Sequence, residues 1–254
     1  MPVDFHDPGN ARTYSDRDAD SSWNQAVTSL LDPRGHTVID IGCGGGTYAR
    51  AWLRLGAEVV TGVDSSAPIL DAARSDAPPG LQLHLGDAAA TGLPADGADI
   101  VFARALVHHV RDLGAVVLEA HRLLRPGGHY LVQDRTMDDV DQPGSVEHPR
   151  GWLFEVFPRL RQVEAARRPD HAGVHTALTA AGFDTPTVHT VWEVRRRYDD
   201  RETYLAEIAA RTGRSILHEL DDDELAHLVA ELHRRLPVGP VLERDRWTLW
   251  CAVR

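Results

Sequence analysis

The sequence predicts an α/β fold, a doubly wound, mostly parallel sheet with a helical cap made by inserted segments. Three observations lead there. From residue 36 onward, short apolar runs alternate with amphipathic helical stretches. A glycine cluster separates the first run from the helix after it. The second half then breaks the alternation with polar, aromatic and helical insertions. With 254 residues, 43% apolar and 26% charged, the chain suits one large domain.

In chain order, residues 20–31 read as a capped amphipathic helix stopped by Pro33 and Gly35. Thr37–Ile41 is a short buried strand, glycines occupy 42 and 44–46, and a helix covers Thr47–Leu55. Glu58–Val63 is the second strand, Ala67–Ser75 a helix, Leu81–Leu85 the third strand and Ile100–Ala103 the fourth. The helix Leu113–Leu124 leads through the turn Pro126-Gly127-Gly128 into a fifth strand, His129–Gln133. Five such units within residues 1–135 imply a doubly wound sheet. Residues 134–150 read as a loop, 151–158 as an aromatic segment, and the stretch up to Arg168 as a basic helix. Val174–Ala181 is a helix and Val188–Tyr198 a strand; 200–236 is helical, and Trp247–Val253 is the last strand. Asp221–Glu224 opens a helix, where acids complement the dipole, so they read as a cap and not a metal site. The inserted segments 134–173 and 199–240 are expected to cover the sheet edge within a single domain.

Composition removes whole classes of chemistry. All 27 basic residues are arginine. Without lysine there is no Schiff base, no pyridoxal-phosphate enzyme, no Walker A loop and no lysine-centred RNA 2′-O-methylation. Cys43 and Cys251 cannot build a disulfide framework or a zinc cluster, and Cys43 reads as a small filler of a tight turn. A net charge of −11 argues against a broad grip on nucleic acid. No apolar run approaches the ~18 residues of a membrane span, and Met1–Asp7 has no leader character, so a cytoplasmic protein is expected. His171 and His175, spaced i, i+4, lack an acidic or third histidine partner nearby in sequence and read as surface residues. No metal is expected, and the chain carries no signal for an oligomeric state.

The chemistry concentrates at Val38-Ile-Asp-Ile-Gly-Cys-Gly-Gly-Gly46, where a strand runs into Gly42, Gly44 and Gly46 with Asp40 at its end. Thr47 stands where a G-x-G-x-x-G dinucleotide fingerprint needs glycine, which disfavours a nicotinamide oxidoreductase. Asp64 ends the second strand, where a carboxylate can hold ribose hydroxyls. Gly86-Asp87-Ala88 follows the third strand. Then come Asp99-Ile-Val-Phe-Ala-Arg-Ala-Leu-Val-His-His-Val110 and Glu119-Ala-His-Arg-Leu-Leu-Arg-Pro-Gly-Gly128. In the order and spacing of these motifs, residues 36–135 resemble the class I S-adenosylmethionine-dependent methyltransferases, particularly the small-molecule, ubiquinone/menaquinone-biosynthesis-like branch.

That resemblance implies a Rossmann-like seven-stranded sheet, with residues 36–135 as the cofactor-binding core and 136–254 as the remaining sheet plus cap. It also implies S-adenosylmethionine as cofactor, with S-adenosylhomocysteine as product. Asp40 would organise the methionine amino group, and Gly42, Gly44 and Gly46 would let the backbone approach the methionine portion. Asp64 with Ser65 would meet the ribose, Asp87 with Ala88 the adenine, and Ala103 with Arg104 the methionine portion. Residues 1–35 would form a lid segment and helix, with Tyr14 as a lid contact.

His109 and His108 stand beyond the fourth strand, at the carboxyl edge, and are the candidate bases. The aromatics Trp152, Phe154 and Phe157 either line an acceptor pocket or form the core of the cap. Neither Asn-Pro-Pro-Tyr nor Asp-Pro-Pro-Tyr follows the fourth strand, and no Pro-Cys nucleophile exists. The expected acceptor is therefore a small molecule. A protein that keeps the cofactor without methylating, as a cyclase or binding module, and a macromolecular methyltransferase are the alternatives.

Overall fold

A computed structural model describes residues 18–254. The chain runs through α1 (Ser21–Thr28), β1 (Thr37–Ile41), α2 (Thr47–Arg54), β2 (Val59–Asp64), α3 (Ala67–Arg74) and β3 (Leu81–Leu85). It continues through β4 (Ala98–Arg104), α4 (Leu113–Leu123) and β5 (Leu124–Asp134). The order across the seven-stranded sheet is β3-β2-β1-β4-β5-β7-β6, with β6 spanning Thr187–Tyr198 and β7 Val241–Val253. The first five strands pair in parallel, while β7 runs antiparallel to both β5 and β6. The predicted fold class, an α/β, Rossmann-like doubly wound sheet, is the one found.

Alternation along the central strands divides the core into two layers. Val38, Ile100 and Phe102 face the helices α1 and α2, where they pack with Trp23, Trp52 and Leu249. Ile39, Ile41, Val101 and Ala103 face the other way, toward Val117 and Leu123 of α4 and toward Val174 and Leu178 of α8 (His171–Ala180). The ring of Phe102 lies 5.7 Å from Trp23 and 5.5 Å from Trp52. Asp20 caps α1 by accepting from the Ser22 amide at 2.9 Å, and Ser66 caps α3 by accepting from Ile69.

The cap has an apolar cluster of its own. It is built from α5 (Met137–Val140), α6 (Arg150–Val156) and α7 (Leu160–Ala165) after β5, and from α9 (Arg201–Ala209), a 3₁₀ turn (Ser215–Glu219) and α10 (Asp222–Arg235) before β7. Residues 134–150 are not wholly a loop, because Thr136 and Asp139 form a reciprocal capping box that starts α5. The basic helix stops at Ala165, short of Arg167 and Arg168. Strand β7 begins at Val241, six residues before the expected Trp247. Its inward positions there are Glu243 and Asp245, both buried, and hydropathy reads such a stretch as surface. Asp221 and Glu224 make the expected helix cap. No described helix is long and apolar enough to cross a membrane.

Phe102 has no exposed surface and joins two tryptophans across the layer. Phe102→Ala is therefore expected to cost about 3–5 kcal/mol, through lost transfer energy and the remaining cavity. Urea unfolding measures it as a lower midpoint with an unchanged slope.

Candidate functional site

The chain leaves β1 toward β2 and β4 toward β5, so the strand order reverses between β1 and β4. Ligand crevices form at the carboxyl edge of such a reversal. Here a cavity of about 320 Å³ opens there, with the glycine turn at one end and cap residues at the other.

At the glycine end, the amides of Gly42 and Cys43 both donate to the Val63 carbonyl, at 2.8 and 3.0 Å, which bends the chain sharply after β1. Gly42 (φ +73°) and Gly44 (φ +52°) line the cavity in left-handed conformations. A β-carbon on Gly42 would lie 2.9 Å from Leu106, whereas one on Gly44 would enter open space. Asp64 holds the turn in place by accepting the Gly44 amide at 2.9 Å through one oxygen and the Ser66 amide at 2.9 Å through the other. Each oxygen keeps a lone pair, and Asp64, Ser65, Gly86 and Ala88 all line the cavity.

The floor is a chain of buried polar groups. Trp23 Nε1 donates to Gln133 at 2.9 Å, and Gln133 donates to Glu193 at 2.9 Å. Glu193 also receives the Tyr48 hydroxyl and the Arg104 guanidinium, the latter at 2.9 Å. The Arg104 guanidinium lies between the rings of Tyr48 (4.2 Å) and Trp247 (4.0 Å). The next residue, Ala105, has φ +51°, an uncommon conformation for a side-chain-bearing residue, and it too lines the cavity.

Toward the cap, His108 Nδ1 lies 2.9 and 2.8 Å from the two oxygens of Asp134. Asp134, at the end of β5, also accepts from Arg168 at 3.1 Å and from the Arg135 amide at 2.8 Å. Burial alone would raise its pKa, but His108 and Arg168 outweigh that and hold it at about 2. Burial lowers the pKa of His108 below the ordinary imidazole value, against the pull of Asp134. His109 stands at the rim with its ring centroid 4.0 Å from that of His108. Desolvation against the wall, followed by the neighbouring His108, lowers its pKa further still. Arginines from five separate segments complete the cap end.

Residues 39–132 match the family described as a methyltransferase domain. The chain is 36% identical over 174 residues to a ubiquinone biosynthesis O-methyltransferase of Chelativorans sp., covering 64% of this chain and 66% of the relative. Among solved structures, it superposes on a protein of an antibiotic biosynthesis pathway from Anabaena variabilis with a TM-score of 0.67. That pair shares 20% identity and covers 92% of this chain and 98% of the other. The Haemonchus contortus phosphoethanolamine N-methyltransferase 2 with S-adenosyl-L-methionine gives a TM-score of 0.58 at 19% identity, covering 99% and 60%. The chain carries a class I S-adenosylmethionine-dependent methyltransferase domain. It spans only 40–52% of the length of the first curated relatives that it matches.

Within this methyltransferase domain the predicted residues separate into three groups. Gly42, Gly44, Asp64, Ser65, Ala88, Arg104, His108 and His109 share the cavity. Asp40, Gly46, Asp87 and Ala103 do not line it. Asp40 is buried beneath the turn and accepts the Ala49 amide in the first turn of α2, while Gly46 is the N-cap of that helix. Asp87 is exposed and accepts the Ala89 amide at 2.8 Å, and Ala103 is packed into the sheet core. Trp152, Phe154 and Phe157 belong to the cap's apolar cluster and not to the cavity wall, which decides the open question about the trio. Tyr14 lies outside the described residues. Asp134, Glu193 and the cap arginines were missed. Only Asp134 had a usable signal, its place at the carboxyl end of a parallel strand.

Asp40 has a pKa pushed up to about 8, first by burial and then by Asp64, with Arg104 acting the other way. A carboxyl raised from 3.8 contributes stability below that value and loses it as pH rises toward 8. Asp40→Asn has no such loss, so its stability relative to the unsubstituted protein should improve by about 4 kcal/mol between pH 5 and 9. Urea midpoints across that range provide the check. A constant difference would mean that Asp40 stays ionised.

Proposed function

We propose that this chain transfers the methyl group of S-adenosylmethionine to a small-molecule acceptor held at the cap end of the cavity, with His108 as general base. The observation that carries this reading is a single cavity holding both the Gly42–Gly44 turn with Asp64 and the His108–Asp134 pair. When bound, S-adenosylmethionine supplies a methyl group already activated on a sulfonium. The residues at the glycine end suit it. Asp64 retains acceptor capacity for a ribose diol, with Ser65 beside it, and the open side of Gly44 admits a ligand close to the backbone. Ala88 and Gly86 would meet the adenine, since both line the cavity and Asp87 does not.

His108 is set up to take a proton. Its Nδ1 bond to Asp134 selects the tautomer whose Nε2 carries the lone pair. Burial keeps the ring neutral near pH 7, and Asp134 compensates the charge once a proton arrives. A cavity of about 320 Å³ fits a small acceptor better than a polymer, and the relatives named for ubiquinone biosynthesis support the same reading.

Calorimetry with S-adenosylhomocysteine and transfer of a labelled methyl group to a panel of small acceptors provide the test. S-adenosylhomocysteine is expected to bind and NAD is not. Asp64→Ala should weaken S-adenosylhomocysteine binding by about 1–3 kcal/mol. His108→Ala should retain that binding and lower kcat about 100-fold or more, with a smaller effect from His109→Ala. In the unsubstituted enzyme kcat should fall as pH drops through the lowered pKa of His108 and level off above it, because only the neutral ring accepts a proton. Full turnover in both histidine variants and in the double variant would remove the base from the mechanism.

A further inference from the structure

The cap end of the cavity is cationic in a protein of net charge −11. Arg135, Arg150, Arg167, Arg168, Arg195 and Arg214 all line it. Five of these six are matched at hydrogen-bonding range to carboxylates. Arg168 lies 3.1 Å from Asp134, and it shares Glu164 with Arg167. Arg195 and Arg214 share Glu243, at 3.0 and 2.6 Å. Arg150 Nε lies 2.9 Å from Asp245 Oδ1, an ion pair by distance in which neither atom completes a hydrogen bond.

Arg135 is the exception. Its side chain is only 10% exposed, and its nearest carboxylate, the Asp245 already engaged by Arg150, is 4.0 Å away. Among the described residues, its Nε and Nη1 have no hydrogen-bond partner. The ring of Trp247 covers the guanidinium at 4.9 Å but offers no counter-charge. Burial, followed by the neighbouring charges of Arg150 and Arg168, works against the Arg135 cation. Arginine does not discharge in proteins, so an anion in the cavity would supply the missing counter-charge. A buried unsatisfied guanidinium that faces a cavity is a built half of an ion pair, and its planar fork matches the two oxygens of a carboxylate or a phosphate.

We propose that the acceptor carries an anionic group, a carboxylate or a phosphate, which pairs with Arg135 at the cap end of the cavity. This rests on the reading of that end as the acceptor site. Arg135 directly follows Asp134, the partner of His108, so an anion held there fixes the rest of the acceptor beside the imidazole. Arg135 is then a specificity-determining residue that binds substrate and takes no part in proton transfer.

The test uses the full chain without methyl donor, at constant ionic strength. Inorganic phosphate and succinate are titrated separately against the unsubstituted protein, Arg135→Gln, Arg135→Lys and the surface control Arg125→Gln, read by thermal shift and calorimetry. Saturable binding of at least one probe is expected, weakened at least 10-fold in Arg135→Gln, partly retained in Arg135→Lys and unchanged in the control. The preferred probe separates a phosphate from a carboxylate source. Without any anion, Arg135→Gln should melt at the same temperature as the unsubstituted protein or higher, because it removes an uncompensated buried charge. Absence of saturable binding, or equal binding in Arg135→Gln, overturns the proposal. So does a large fall in melting temperature for both Arg135 variants, since the arginine would then be structural. S-adenosylhomocysteine binding, measured on the same samples, reports on the methyl-transfer reading independently of the anion.

Discussion

Glu243 has no exposed surface, yet it stands at an inward position of β7 where a sheet ordinarily places an apolar side chain. Arg195 from β6, Arg214 from the segment before the 3₁₀ turn, and the Tyr198 hydroxyl all converge on it. Two residues further on, Asp245 takes Arg150 from the start of α6. These two acids join the sheet to both halves of the cap. The apolar cluster of the cap takes in Tyr198 of β6 and Val241 of β7, so charge pairs and apolar packing together join cap and sheet at this edge. The three arginines that the two acids bind, Arg150, Arg195 and Arg214, line the cap end of the cavity.

The same lattice sets the electrostatics of the histidine pair. Asp134 answers to both His108 and Arg168, and Arg168 answers to both Asp134 and Glu164. The imidazole therefore belongs to a network whose charges are nearly matched, and its own burial decides that it stays neutral. In water these pairs would be worth little, but within a nearly dry wall each charge is costly unless matched, so the geometry of every partner is constrained by the others. The floor follows the same rule: Glu193 is tied at once to Gln133, Tyr48 and Arg104. Rigidity of this kind is what orientation of two reactants requires.

The glycine end was legible in the sequence because local backbone constraints write it. A sharp turn after a buried strand needs residues free to take positive φ, and Gly42, Gly44 and Gly46 stand there in order. Asp64 was legible because a strand end at the carboxyl edge is a fixed place in this topology. Asp40 and Asp87 stand at sequence positions of ligand contacts, but neither lines the cavity: Asp40 accepts the Ala49 amide and keeps one buried oxygen without a partner, and Asp87 accepts the Ala89 amide. The cap end could not be read. Its arginines are scattered from residue 135 to residue 214, and each looks like an ordinary solvated charge until the chain folds. The aromatic trio left both readings open in the sequence, and in the fold Trp152, Phe154 and Phe157 pack with the cap's apolar cluster.

Why a cap should be propped on buried ions at all follows from the balance of terms. Replacing a buried ion pair with well-packed apolar groups is often neutral or stabilising, so stability alone does not explain six arginines in one wall. Five of them have carboxylate partners, and three of those pairs, Arg150–Asp245, Arg168–Asp134 and Arg214–Glu243, join cap segments to strands. The Arg135 guanidinium holds nothing at hydrogen-bonding distance, and truncating the side chain would cost the scaffold only its stacking on Trp247 and a long approach to Asp245. The matched pairs make a rigid frame, and the unmatched cation sits inside that frame next to the His108–Asp134 pair. A wall in which one buried guanidinium has no carboxylate at hydrogen-bonding distance discriminates by charge, since a neutral acceptor would leave that cation without a partner whereas an anionic one supplies it.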